Sequence, residues 1–317
     1  MGFIALFPAL VLDKLLYIII MSRTDLEKNL KLGSDLKLDK NFRGLVNIYK
    51  SKGITSFDVV QQVKRITGEK KVGHAGTLDP LAEGVLIVGV GREATKQLRF
   101  ILEEDKEYIA EIKFGFYSTT DDEEGEKLKV KNRITWPAQK EIEKVLKTFI
   151  GDIIQISPAY SAVKIQGERA YKKARRGEKF TRPPRIVTIK EIKILDYSLK
   201  FFGEGNEDDG NDKNIISNLQ NISWKNKTLN TDLKKKDYKN KKKPSIILKI
   251  KPDEYFIEKS FQEEIFPVLK IRTVVGSGTY IRSLAREIGE RLGTGGYLIS
   301  LARTKIGNYK KEEAIRI

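Results

Sequence analysis

GHAGTLDPLAEGVLIVGVGREATK, residues 73–96, has two halves of opposite character. The first twelve residues hold Gly73, Gly76, Pro80 and Gly84, enough glycine and proline to specify a shaped loop rather than a helix or strand. His74, Thr77 and Asp79 are the polar groups carried on that loop. Pro80 restricts Asp79 to extended backbone, which fixes the direction of its carboxylate. Gly73 and Gly76 permit another backbone or a ligand to come close. The second half opens with VLIVGV at 85–90, an unbroken apolar run that reads as a buried strand. A bland reading of Asp79, a turn aspartate bonding its own backbone, is the better one on composition alone.

Outward from this stretch the pattern alternates strands and helices. Residues 42–48 read as a strand. Residues 55–67 read as a helix, with Thr55 as cap, Asp58 completing a capping box and Gly68 at the stop. Along 107–114, Tyr108, Ala110, Ile112 and Phe114 fall on one face of a strand and Ile109, Glu111 and Lys113 on the other. Residues 140–149 suit a helix, and 186–202 and 245–251 suit strands. A strand at 268–275 leads through GSGTY into a helix with apolar positions Ile281, Leu284, Ile288 and Leu292. This mixture is α+β rather than a regular βαβ winding.

Composition narrows the chemistry. The 317 residues carry a net charge of +17, which favours a polyanionic partner. There is no cysteine, so disulfides, cysteine-ligated zinc and thiol catalysis are excluded, and a single histidine makes a metal site an unexpected feature. Residues 203–243 form a low-complexity Asn/Lys-rich insert whose ten lysines and seven acids contribute only +3 of the charge. Residues 1–40, an apolar lead and a polar linker, contribute +1 and are expected to lie outside the fold. The basic surface therefore belongs to the globular parts, 41–202 and 244–317. Asp13, Lys14 and Pro8 break the apolar lead below the roughly 20 residues a spanning helix needs, so membrane attachment is not expected. The lead has no preceding basic residue and no myristoylation pattern, and Met21 is an alternative start.

Five blocks in order carry a resemblance. LVNIYKSKGITSFDVVQQVKR at 45–65, the 73–96 stretch, KEYIAEIKFGFYSTTDDEEGE at 106–126, SPAYSAVKIQGERAYKKARRGE at 157–178 and GSGTYIRSLAREIGERLGTGGYLISLARTKIG at 276–307 are together similar to the TruB family of tRNA pseudouridine synthases. The resemblance implies the pseudouridine synthase fold, a mixed, largely antiparallel sheet flanked by helices and loops. It implies isomerisation of the uridine at tRNA position 55, in the T loop, to pseudouridine, with no cofactor and no metal. The implied partner is the T arm of tRNA, without an obligate protein partner, and the implied location is the cytoplasm.

The resemblance also assigns residues. Asp79 falls on the essential aspartate and Tyr108 on the tyrosine that stacks on the target base. Arg282 falls on the arginine paired with the aspartate, His74 on the residue that wedges into the gap left by the extracted base, and Leu301 on a leucine lining the pocket. Plain alternatives are a core tyrosine at 108, an exposed first-turn arginine at 282, a structural histidine at 74 and simple packing at 301. Lys164, Arg169, Tyr171, Lys172, Arg175 and Arg176 form a backbone-binding stretch, for which a solvated basic face is the plain alternative. Arg303 is expected to make a phosphate contact.

This chain departs from the family pattern at Ser157, where a proline is commoner, and at Ala302, where an arginine is usual. It is read as carrying no small C-terminal RNA-binding domain. Competing readings are a non-catalytic tRNA-binding or folding protein on the same scaffold, a guide-RNA-dependent subunit of a larger particle, and a peripheral membrane protein using residues 1–21. The triad Asp79, Tyr108 and Arg282 favours the enzyme over a binder, since a pure binder has no need of an acid among phosphates.

Overall fold

A computed structural model describes residues 38–130, 136–202 and 265–317. Most of the N-terminal extension, the insert and the strand expected at 245–251 lie outside these residues. The chain forms two compact units, the first from residues up to Glu104 with Thr304–Ile317, the second from Asp105–Arg303.

In the first unit, β1 (Gly44–Lys50) pairs antiparallel with β3 (Ala82–Val90), Gly44 opposite Val90 and Lys50 opposite Gly84. β2 (Val72–His74) pairs antiparallel with the end of β3. Between them runs α1 (Ser56–Thr67), started by the Thr55–Asp58 capping box and stopped by Gly68 in the left-handed conformation. Such a cap contributes about 1 kcal/mol. The unbroken apolar run of β3 has a direct cause: both its faces are covered. Leu86, Val88 and Val90 pack with Val46, Ile48, Val59 and Val63 on the α1 side. Val85 and Ile87 pack with Ala75, Leu98 and Ile306 on the other, where α2 (Arg92–Glu103) lies. Gly89 admits α2, since a Cβ there would stand 2.9 Å from the Ala94 carbonyl oxygen. Leu38 also packs on this core, so the packed fold begins before the expected boundary at 41.

The second unit orders β4 (Lys106–Phe114), β11 (Ile265–Val275), β10 (Pro184–Phe201) and β7 (Gly151–Ile156) as antiparallel neighbours. Tyr108, Ala110, Ile112 and Phe114 are buried along β4, as the alternation requires. β5 (Phe116–Ser118) and β6 (Lys127–Lys129) make a separate hairpin. Helices α3 (Gln139–Lys147) and α5 (Ile281–Arg291) bury Ile142, Leu146, Leu284 and Ile288. β8 (Lys164–Ile165), β9 (Glu168–Arg169) and α4 (Ala170–Arg175) lie between β7 and β10 in the chain. The long strand β12 (Gly296–Ile306) follows α5. The fold class is α+β with largely antiparallel pairing; the isolated parallel bridges are Ile48↔Ile315 and Asp122↔Leu298. Among the described residues no helix is long and apolar enough to cross a membrane.

Candidate active site

The Asp79 loop is shaped from inside its own unit. Ala75 N–H donates to the Ile87 carbonyl at 2.9 Å, continuing the β2–β3 ladder one residue past His74. His74 thus closes a strand rather than opening a free loop. Gly76 then turns the chain at φ +85. Leu78 is buried, and its backbone is held at both ends by one hydroxyl. Ser56 Oγ accepts from Leu78 N–H at 2.9 Å and donates to the Leu78 carbonyl at 3.0 Å. Gly53 N–H donates to the Pro80 carbonyl at 2.8 Å, and Ala82 N–H to the Asp79 carbonyl at 3.0 Å. Asp79, between these fixed residues, is half-buried. The segment 51–56 that reaches the loop is braced in turn. Lys50 is fully buried, and its ammonium donates to the carbonyls of Ser51 at 3.0 Å and Ile54 at 2.7 Å.

In the second unit the first turn of α5 presents Arg282, and it is buried, not exposed. The turn is positioned by β7. Gln155, itself buried, accepts from Tyr280 N–H at 2.8 Å and donates to the Tyr280 carbonyl at 3.2 Å. Ser283 Oγ donates to the Ile156 carbonyl at 2.8 Å. Arg282 Nη1 then reaches Asp122 Oδ2 at 3.1 Å and the Thr120 carbonyl at 3.2 Å, while Nη2 donates to the Tyr160 carbonyl at 2.9 Å. One turn further along α5, Arg286 Nη1 donates to Asp121 Oδ2 at 2.6 Å. The turn at 119–125 is therefore clamped by two arginines. Burial pushes the Asp121 carboxyl up, while Arg286, Arg282 and Arg182 pull it down. Gly125 closes this turn, because a Cβ there would lie 2.4 Å from Thr120 Oγ1.

Asp121, Asp122, Arg286, Ser56 and Gln155 carry structural roles at the site that sequence reasoning did not assign. The block FYSTTDDEEGE holds the signal: adjacent aspartates in a polar turn closed by a glycine need cations when buried. Tyr108 lies on the buried face of β4, opposite Thr273 on β11. Leu301 is buried on β12. Arg303 departs from expectation. It is 1% exposed, on the same face of β12 as buried Leu301 two residues earlier, so its guanidinium is not offered to a phosphate at the surface.

The basic stretch is brought together as a small module. Lys164 pairs with Arg169 and Ile165 with Glu168 across a turn in which Gln166 and Gly167 both have positive φ. Ala170 N–H donates to the Val163 carbonyl at 2.7 Å, seating α4 on the hairpin. The charges are not equally available. Arg176 forms a two-pronged pair with Glu168, at 2.7 Å on each prong, and binds Glu178 at 2.6 Å. Hydrogen bonding to Glu168 and Glu178 raises the Arg176 pKa further, and the same pairs lower both carboxyls. Lys164, Arg169, Lys172 and Arg175 are exposed, with the Arg175 guanidinium 5.6 Å from the Tyr171 ring centre. Ser157 is buried, and its carbonyl accepts from Arg182 at 2.7 Å.

Comparison with known proteins places this arrangement. A solved structure, "Crystal Structure of a Cbf5-Nop10-Gar1 Complex", contains a chain matching with a TM-score of 0.50 at 24% identity, over 86% of this chain and 52% of that one. That likeness concerns the fold, and this chain spans about half the length of that one. The family model described as TruB family pseudouridylate synthase, N-terminal domain, matches residues 64–205. The tRNA pseudouridine synthase B of Leifsonia xyli subsp. xyli is 35% identical over 273 residues, covering 86% of this chain and 69% of that protein. The chain belongs to the TruB family. The enzyme of the same name from Clostridium acetobutylicum is 35% identical over 272 residues, covering 86% of this chain and 70% of that one. The TruB family model covers the Asp79 loop, β4 with Tyr108, the 119–125 turn and the basic module; α5 with Arg282 lies beyond it and falls within the third block of resemblance.

Proposed function

We propose that this chain isomerises a uridine of tRNA to pseudouridine, at position 55 in the T loop, working on tRNA in the cytoplasm without an obligate protein partner. The observation that carries this is the agreement between 35% identity to curated tRNA pseudouridine synthase B and a rigidly braced loop that presents one carboxylate, Asp79. The reaction breaks the bond between uracil N1 and the sugar C1′, turns the base in place and joins C5 to the same C1′. N1 gains a proton and C5 loses one, so nothing is consumed.

Asp79 acts at the sugar, where a carboxylate oxygen attacks C1′ or offsets the positive charge that develops as uracil leaves. Tyr108 stacks on the base and assists the final loss of the C5 proton. Arg282 keeps Asp79 ionised and aimed, as an adjacent cation does. Within its own unit Arg282 is held by Asp122, Thr120 and Tyr160. His74 wedges into the gap left by the base, and Leu301 lines the pocket. A uridine inside a folded loop must be extruded first, at a cost of a few kcal/mol. The exposed residues Lys164, Arg169, Lys172 and Arg175 hold the phosphates of the T arm, and Tyr171 braces them.

The test is incubation with unmodified tRNA followed by position-resolved pseudouridine detection. Pseudouridine at position 55 alone is the expected result; tRNA bound but unmodified would favour the non-catalytic binder.

A further inference from the structure

The outer face of α1 is not used by the proposed reaction, yet it is built from residues that RNA favours. Ser56, Val59, Val60, Val63 and Thr67 face the core, which leaves Phe57, Gln61 and Lys64 along one flank of the helix at helical spacing and Arg65 on its far side. Phe57 is 64% exposed, and Ile54 beside it is 37% exposed. They form an apolar tip at the start of α1. That tip adjoins the Asp79 loop through the chain itself, because Ser56, the residue before Phe57, is the one whose hydroxyl holds Leu78. At the other end of the helix stand Lys64 and Arg65, followed past Gly68 by Lys70 and Lys71. None of these four cations has an ion-pair partner among the described residues. The nearby acids are already engaged: Asp58 in the capping box, and Glu69 with Arg43 at 2.7 Å.

We infer that this face of α1 is a track for an RNA strand of the tRNA substrate, with an unstacked base lying on Phe57 and successive phosphates on Lys64, Arg65, Lys70 and Lys71. The inference rests on the proposed tRNA substrate and adds a binding surface separate from the basic module of α4. The charge decides for nucleic acid over protein. Two apolar side chains are too small a patch for a stable protein interface, whereas an aromatic ring followed in the chain by four cations, three of them exposed, fits a strand with exposed bases. The geometry also suits. Phe57 and Arg65 are about 12 Å apart along the helix, within reach of a few phosphates.

The test measures tRNA affinity and its salt dependence for the parent, Phe57→Ala, Phe57→Trp and the double variant Lys64→Gln/Arg65→Gln, with pseudouridine formation by the parent followed in the same samples. Loss of one base stack is expected to weaken Phe57→Ala roughly 5- to 100-fold, while Phe57→Trp stays within about twofold of the parent. The double variant is expected to lower the slope of log affinity against log salt by roughly 0.7–0.9 for each phosphate it no longer neutralises. Unchanged affinity in Phe57→Ala, or an unchanged slope in the double variant, overturns the track while a parent that binds and converts tRNA keeps the proposed reaction. A parent that fails to bind tRNA overturns both.

Discussion

Arg282 Nη1 stands 3.1 Å from Asp122 Oδ2, and both side chains are buried, at 6% and 3% exposure. The pair joins α5 to the turn after β5, and Asp122 also accepts from Thr120 Oγ1 and Glu124 N–H through its other oxygen. Asp122→Ala leaves a buried guanidinium without this carboxylate. The expected cost is about 3–5 kcal/mol of folding stability, with a matching loss of turnover as Arg282 shifts. Asp122→Asn keeps an acceptor oxygen and is expected to cost less than Ala. Chemical denaturation of the three proteins checks this; equal stability of parent and Asp122→Ala would contradict it.

Gly125→Ala should act through the same turn. The new Cβ would lie 2.4 Å from Thr120 Oγ1, 2.5 Å from Ser118 Oγ and 2.6 Å from Thr120 N. The backbone contact cannot give way cheaply, so a loss of about 1–3 kcal/mol is expected, as for overpacking elsewhere. A thermal midpoint equal to the parent's would show that the turn is looser than its geometry indicates.

Ser56→Ala tests how the Asp79 loop is held. It removes the acceptor for Leu78 N–H and the donor to the Leu78 carbonyl together. Leaving such buried groups unsatisfied costs about 1–3 kcal/mol. The expected signature is a reduced single-turnover rate with tRNA affinity largely preserved, because the loop presents the carboxylate. A rate equal to the parent's would mean that Ser56 does not set the loop.

Glu287 gives a pH dependence. It is next to Arg286 on α5, at 3.3 Å, and burial pushes its carboxyl up from the ordinary 4.5 to about 7. The fold therefore prefers the protonated form. Its contribution is present below pH 4.5 and is lost as pH rises through about 7. Glu287→Gln stays neutral throughout and keeps an acceptor oxygen. Its stability relative to the parent should grow between pH 5 and pH 8 by on the order of 1–2 kcal/mol, after allowance for screening. A difference that does not change with pH would remove burial as the cause.

The sequence is most legible where one local rule decides the outcome. Thr55, Asp58 and Gly68 mark α1 to the residue, because capping chemistry is local. The period of two along 107–114 assigns the buried face of β4. Helix α2 is harder to read: Gly91 supplies no side-chain cap, and only Ala94 and Leu98 on it are buried. Arg303, expected at a phosphate through the family resemblance, is instead buried on the face of β12 that carries Leu301, a placement that a motif match does not reveal. The place of Asp122 is legible only in three dimensions, since its partner Arg282 lies 160 residues away in the chain. For the same reason the double bond from Ser56 to Leu78 is invisible in the sequence, although both residues stand inside recognised blocks.

The most direct test of the central claim is single-turnover pseudouridine formation in unmodified tRNA by Asp79→Asn beside the parent, with tRNA affinity measured on the same preparations. The substitution keeps the size of the side chain and the backbone that holds it, and removes only the carboxylate. The account predicts pseudouridine from the parent, none detectable from Asp79→Asn, and affinities within a few-fold of each other. Comparable turnover by the two proteins would contradict it.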